Sequence, residues 1–91
     1  MLSRRAARDL AEIWDWIAVD RPAAADAALA SVRAALDGLG EHPELGRARP
    51  ELCPGLQSLP CGRLVVFYRG AASAVEVVRV PHGSRDIAAL L

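Results

Sequence analysis

Lysine is absent from this 91-residue chain, and all eleven of its cations are arginine. Aromatic residues are scarce at 4%: Trp14, Trp16, Phe67 and Tyr68. No run of 18 apolar residues occurs and no leader pattern opens the chain, so neither a membrane span nor export is expected. Cys53 and Cys61 have no second Cys or His at metal-ligand spacing, which argues against a zinc site and fits two reduced thiols in a cytoplasmic protein. No phosphate-cradling glycine loop, G-x-S-x-G elbow or metal constellation is present, and no cofactor is expected. Net charge is zero, which disfavours nonspecific or sequence-specific DNA binding by a basic surface.

What the chain has is alanine and aliphatic side chains. The apolar fraction is 53%, but 18 residues are Ala, leaving 27 Leu, Ile, Val, Phe, Met and Trp for the core. A single domain over 1–91 is expected, and a chain of this size buries only roughly 60–65% of its surface, so its core is thin. Charge is uneven. Residues 1–45 carry five Arg against eight Asp or Glu, net −3, and residues 46–91 carry six against three, net +3. Two faces of opposite sign are implied.

The strongest local signal is at 63–86. Arg63–Arg69 and Ala74–Val80 are β-branched and aromatic runs joined by Gly70-Ala71-Ala72-Ser73, which reads as an antiparallel hairpin. A lone hairpin is marginal in water and needs a packing partner. The first half supplies one. From Arg4 to about Val19, with Ser3 as N-cap, the stripe Ala6, Leu10, Ile13 and Ile17 has helical spacing. Trp14 and Trp16 fall roughly 70–90° to either side of that stripe. They either cover the core edge or line a groove for a partner, since aromatic anchors are enriched at binding hot spots.

Asp20-Arg21-Pro22 breaks the chain, with Asp20 as a cap, and starts a second helix that is predicted to end at Leu39. Its stripe is Ala25, Ala28, Leu29, Val32, Ala35, Leu36 and Leu39, and Gly40 is read as the residue just past its end. The short link makes the pair an αα-hairpin. Residues 41–54 read as a loop carrying Arg47 and Arg49; His42 beside Pro43 reads as a turn residue. Leu56–Leu59 is a short strand, with Pro60 at its end or on an edge. Residues 84–91 fit a short helix, Ile87, Leu90 and Leu91 packing back. The expected fold is α+β: an N-terminal helical hairpin on a small antiparallel sheet of three strands, with a short C-terminal helix.

Several positions combine into an ordered pattern: Ala6-x-x-Asp9-Leu10-x-x-Ile13-x-x-Trp16-Ile17, Pro22-x-x-Ala25, His42-Pro43-x-x-Gly46-Arg47, Pro54-Gly55-Leu56, Gly62-Arg63, Phe67-Tyr68-Arg69 and Val78-Arg79-Val80-x-His82-Gly83-x-Arg85-Asp86. This resembles the RelE/ParE superfamily of type II toxin–antitoxin toxins, and its ParE branch in particular. The resemblance implies an N-terminal strand, a helical hairpin and an antiparallel sheet. It implies a ParD-like antitoxin whose C-terminal segment wraps the toxin, with DNA gyrase as the target. For RelE relatives it implies ribosome-dependent messenger RNA cleavage instead. A relative that only binds its antitoxin is a third reading. Two positions depart from the pattern. Only Met1-Leu2 precede Ser3, so the first strand is vestigial or absent, and its absence would open a sheet edge. Gln57 stands where the family carries Arg.

A nuclease needs a proton donor, an acceptor and cations around the scissile phosphate. The candidates are His82, Arg79, Arg63 and Arg85. The alternative roles are structural: His82 bonding backbone or a carboxylate, Arg79 pairing with Glu76 or Asp86, and Arg85 with Asp86 as a local cap. Arg79 is expected on the side of its strand opposite Val78 and Val80. For the antitoxin, the expected contacts are Trp14, Trp16, Arg47, Arg63, Tyr68 and Arg79, with the helical hairpin receiving an amphipathic helix and the basic half an acidic strand.

Overall fold

The computed structural model describes residues 2–62, 64–71 and 74–81. Two helices come first, α1 over Arg4–Ala18 and α2 over Pro22–Glu41, followed by a 3-10 turn at Pro43–Leu45. Four strands follow: β1 at Arg47–Ala48, β2 at Gln57–Cys61, β3 at Leu64–Ala71 and β4 at Ala74–Arg79. They form one antiparallel sheet in the order β1-β2-β3-β4. The architecture is α+β, as the residue pattern predicted, with one strand more than expected.

Ser3 caps α1 by accepting the Ala6 N–H at 3.0 Å. The α1 stripe faces the sheet: Ala6 and Ile13 are buried, with Leu10 and Ile17 packed against them. On α2 the buried positions are Ala25, Val32 and Leu39. The helices close over Leu64, Val66 and Tyr68 of β3, Cys61 of β2 and Val77 of β4, with Val80 just beyond it.

Several boundaries differ from those read in the sequence. Gly40 does not end α2. The helix runs on to Glu41 with His42 as its C-cap, and Gly40 is not among the glycines with positive φ, Gly55 and Gly62. Nor does Asp20 cap α2: Arg21 occupies the N-cap and contributes no side-chain bond, with Pro22 starting the helix. The loop 41–54 contains β1, which pairs Arg47 with Ser58 and Ala48 with Gln57. Strand β2 runs through Pro60, which pairs with Val65 of β3. Because β1 covers only Gln57 and Ser58, β2 is an edge strand at Pro60, where the missing N–H costs no ladder bond.

Gly70 does not turn the chain either. It pairs with Val75, and the hairpin extends to Ala71 opposite Ala74. Residues 72–73 lie outside the described residues, as does the segment 84–91 expected to form a short helix. The N-terminal strand survives as one parallel bridge between Leu2 and Val77, reinforced by the Ser3 N–H to the Val77 carbonyl at 2.9 Å.

Candidate functional site

The start of α1 is welded to the sheet at Ser3. Its hydroxyl accepts from Ala6 and donates to the Val78 carbonyl at 2.8 Å. That attachment holds Leu2 at the head of a groove of about 410 Å³, lined by Leu2, Ala7, Leu10, Ala11, Trp14, Asp15 and Leu29. Ala7, Leu10, Ala11 and Trp14 have the i, i+3, i+4, i+7 spacing of one helix face. Leu29 closes the groove from α2. The small side chains of Ala7 and Ala11 leave its floor open to another element.

Trp14 is 36% exposed, and its indole N–H donates to Asp26 Oδ1 at 3.1 Å, tying its ring across the hairpin. Trp16 is 67% exposed and lies two residues on, about 200° around the helix. The two tryptophans therefore do not share a surface, and only Trp14 lines the groove.

Arg47 is exposed on β1, at the opposite edge of the sheet from β4. Three strand spacings, about 14 Å, separate it from the strand that carries Arg79. Its neighbour Arg49 donates from Nε to Ser58 Oγ at 2.8 Å and faces Glu51 at 3.6 Å.

Tyr68 is not on the surface as expected. It is fully buried, because β3 sits in the middle of the sheet and this residue points into the helical layer. Its hydroxyl donates to the Pro43 carbonyl and accepts the Gly46 N–H, both at 2.8 Å, so it clasps the turn after α2. Gly46 must be glycine, since any Cβ there would run into the Tyr68 ring and hydroxyl. Burial pushes the Tyr68 hydroxyl pKa up, opposed by the Gly46 bond and assisted by the Glu44 charge.

Arg79 also differs from expectation. Of its two named candidates, Glu76 is held by Arg69 at 2.9 Å, and Asp86 lies outside the described residues. Instead Arg79 grips Asp9 of α1 with two bonds, Nε to Oδ2 at 2.8 Å and Nη2 to Oδ1 at 2.9 Å. Asp9 Oδ2 also accepts the Val80 N–H at 2.9 Å. A bulge at Phe67/Tyr68 places Arg79 opposite Phe67 while Tyr68 faces Val77, making Val78 the extra residue. Bulges of this kind commonly re-aim a side chain. The Asp9 bonds hold the guanidinium pKa above its ordinary value.

Asp9 is the residue that sequence reasoning passed over. Its signal was its place: a carboxylate on the buried stripe, between Ala6 and Ile13, requires a buried cation or N–H groups to offset desolvation. His82, Arg63 and Arg85, the other nuclease candidates, lie outside the described residues. Among the described residues no group of three His, Cys, Asp or Glu gathers to hold a metal, and no helix is long and apolar enough to cross a membrane.

The model of the ParE toxin of the type II toxin–antitoxin system parDE matches residues 1–87. The chain belongs to the ParE toxin family. Toxin ParE1 of Mycobacterium tuberculosis is 36% identical over 93 residues, covering 96% of this chain and 91% of the relative. Toxin ParE1 of Caulobacter vibrioides is 37% identical over 94 residues, covering 99% and 94%. Toxin RelE2 of the same organism is 35% identical over 81 residues, covering 89% and 90%. Among solved structures, a chain of the chromosomal ParDE toxin–antitoxin system from P. aeruginosa shares the fold, with a TM-score of 0.75, 24% identity, and coverage of 89% and 90%. Membership of the family accounts for the order of elements, two helices and then an antiparallel sheet.

Proposed function

We propose that this ParE-family chain is the cytoplasmic toxin of a type II toxin–antitoxin module. An antitoxin of the ParD kind neutralises it, and it acts by binding DNA gyrase, not by breaking a bond. The observation that carries the reading is the apolar groove along α1, with Trp14 at its wall and Leu2 at its head. It has the spacing that receives an amphipathic partner helix. The ParE1 relatives point to a toxin, and the structural neighbour belongs to a ParDE toxin–antitoxin system, which supports a partner of the ParD kind. Of the expected antitoxin contacts, Trp14 belongs to the groove, Trp16 and Arg47 to separate exposed surfaces, and Tyr68 and Arg79 act from below by holding the sheet and loops in place.

The likeness to Toxin RelE2 favours a second reading, a ribosome-dependent ribonuclease using His82, Arg63 and Arg85. Arg79 is a weak member of such a site, because its guanidinium is already bound by Asp9. Two assays on purified protein separate the readings: gyrase supercoiling of plasmid and message cleavage on programmed ribosomes. Loss of supercoiling with intact message supports the gyrase reading. Cut message with normal supercoiling overturns it in favour of the nuclease. Silence in both, with an antitoxin still bound, leaves a chain that binds its antitoxin and is not toxic.

A further inference from the structure

The rim of the groove is charged, and its charges are sorted by end. The Trp14–Asp26 bond fixes the register of the two antiparallel helices. At that end stand Asp15, which lines the groove, and Asp26, both exposed. The Asp20-Arg21 link beyond them adds no net charge. Seven residues away on each helix, about 10 Å along the axes, the register sets Ala7 level with Arg33. Arg33 is four residues from Leu29 and seven from Asp26, so it lies on the face of α2 that borders the groove. Arg8 is seven residues before Asp15, and Arg4 seven before Ala11, so both lie on the α1 rim. All three arginines are exposed. Asp37 lies one turn beyond Arg33, level with Ser3, and leaves this end net positive. Glu12 and Arg5 lie further round α1 toward Trp16.

We propose that this polarised rim selects the partner. The groove seats an amphipathic antitoxin helix that carries basic residues over Asp15 and Asp26 and acidic residues over Arg8 and Arg33. This rests on the antitoxin reading and adds to it a charge pattern and a direction. An apolar groove alone accepts any leucine-faced helix in either direction. Opposite charges at its two ends penalise a uniformly acidic or uniformly basic helix at one end or the other, and penalise reversed docking at both.

The test uses the full chain with Trp16→Phe, so that Trp14 fluorescence reports the groove. Three synthetic helical peptides share one leucine face: one with Lys at one end and Glu at the other, one all-Glu, one all-Lys. The mixed peptide is expected to bind about tenfold more tightly than either uniform one, the sum of several exposed ion pairs, and the gap is expected to shrink in high salt. In R8D/R33D, whose changes are on exposed side chains, preference is expected to move to the all-Lys peptide.

Equal binding of the three peptides, or a ranking that ignores R8D/R33D, overturns the inference. So does failure of all three to bind; light scattering identifies a groove filled by a second copy. Co-purification with the antitoxin encoded beside it tests the underlying reading separately. An antitoxin that binds while the peptides show no ranking removes only the charge pattern. Peptide ranking without antitoxin binding removes only the antitoxin reading.

Discussion

Asp9 and Tyr68 are the two side chains on which most depends, and both act through buried polar bonds. Asp9 is 8% exposed and takes three hydrogen bonds, two from Arg79 and one from Val80. Asp9→Ala removes both bonds that Asp9 makes to a guanidinium at 13% side-chain exposure. A loss of roughly 3 kcal/mol in urea unfolding is expected, because removing one partner of a buried ion pair is strongly destabilising. The double change Asp9→Leu with Arg79→Met is expected to recover much of it, since no charge is then left buried. Tyr68→Phe removes one hydroxyl but strands both the Pro43 carbonyl and the Gly46 N–H. A cost of about 1–3 kcal/mol in thermal or urea unfolding is expected.

Individual elements are held by their ends as much as by their faces. α1 begins at Ser3, whose hydroxyl serves the helix and β4 at once. α2 ends later than its glycines suggest. Gly40 lies in helical backbone, and a Cβ there would meet no atom within 4 Å. Gly40→Ala is therefore expected to stabilise the chain by about 0.5–1 kcal/mol, read as a higher urea midpoint with unchanged slope. Gly46 behaves in the opposite way, because the Tyr68 ring occupies the space that a Cβ would need. In β2, Pro60 survives because its neighbour β1 is two residues long. A longer β1 would need a donor at that position.

For the molecule as a whole, the buried acids set a one-sided dependence on pH. Burial raises the Tyr68 hydroxyl above its ordinary 10.0 and the Cys61 thiol above its ordinary 9.0. Both groups are neutral when protonated, and the unfolded chain releases those protons at lower pH than the native one. Their contribution is fully present below about pH 9 and is lost as pH rises through the raised native values. Urea midpoints measured from pH 7 to 11 are expected to fall at the alkaline end. Tyr68→Phe should reduce that fall, and a slope identical to that of the unmodified chain would show that Tyr68 does not carry it. Binding belongs to this level too. The groove exists only because α1, α2 and Leu2 meet, and Trp14→Ala is expected to weaken antitoxin binding at least tenfold while leaving the core untouched.

The local signals were enough for the helical hairpin, the strong β-hairpin and the α+β class, because hydrophobic period and capping are properties of neighbours in the chain. The ordered motif set carried the family resemblance for the same reason. Trp14 as a groove residue was half legible: its angle to the stripe was readable, but not that Leu29 and Leu2 would stand beside it. The pairing of Asp9 with Arg79, 70 positions apart, was not legible. Neither was the burial of Tyr68, nor the two-residue strand that makes β2 an edge at Pro60. These depend on which distant segments fold against each other, and on a bulge that shifts Arg79 by one register position. Period and propensity decide what each segment becomes. Only the packed chain decides which buried polar group finds which partner, since desolvation is imposed by neighbours that the local sequence does not contain.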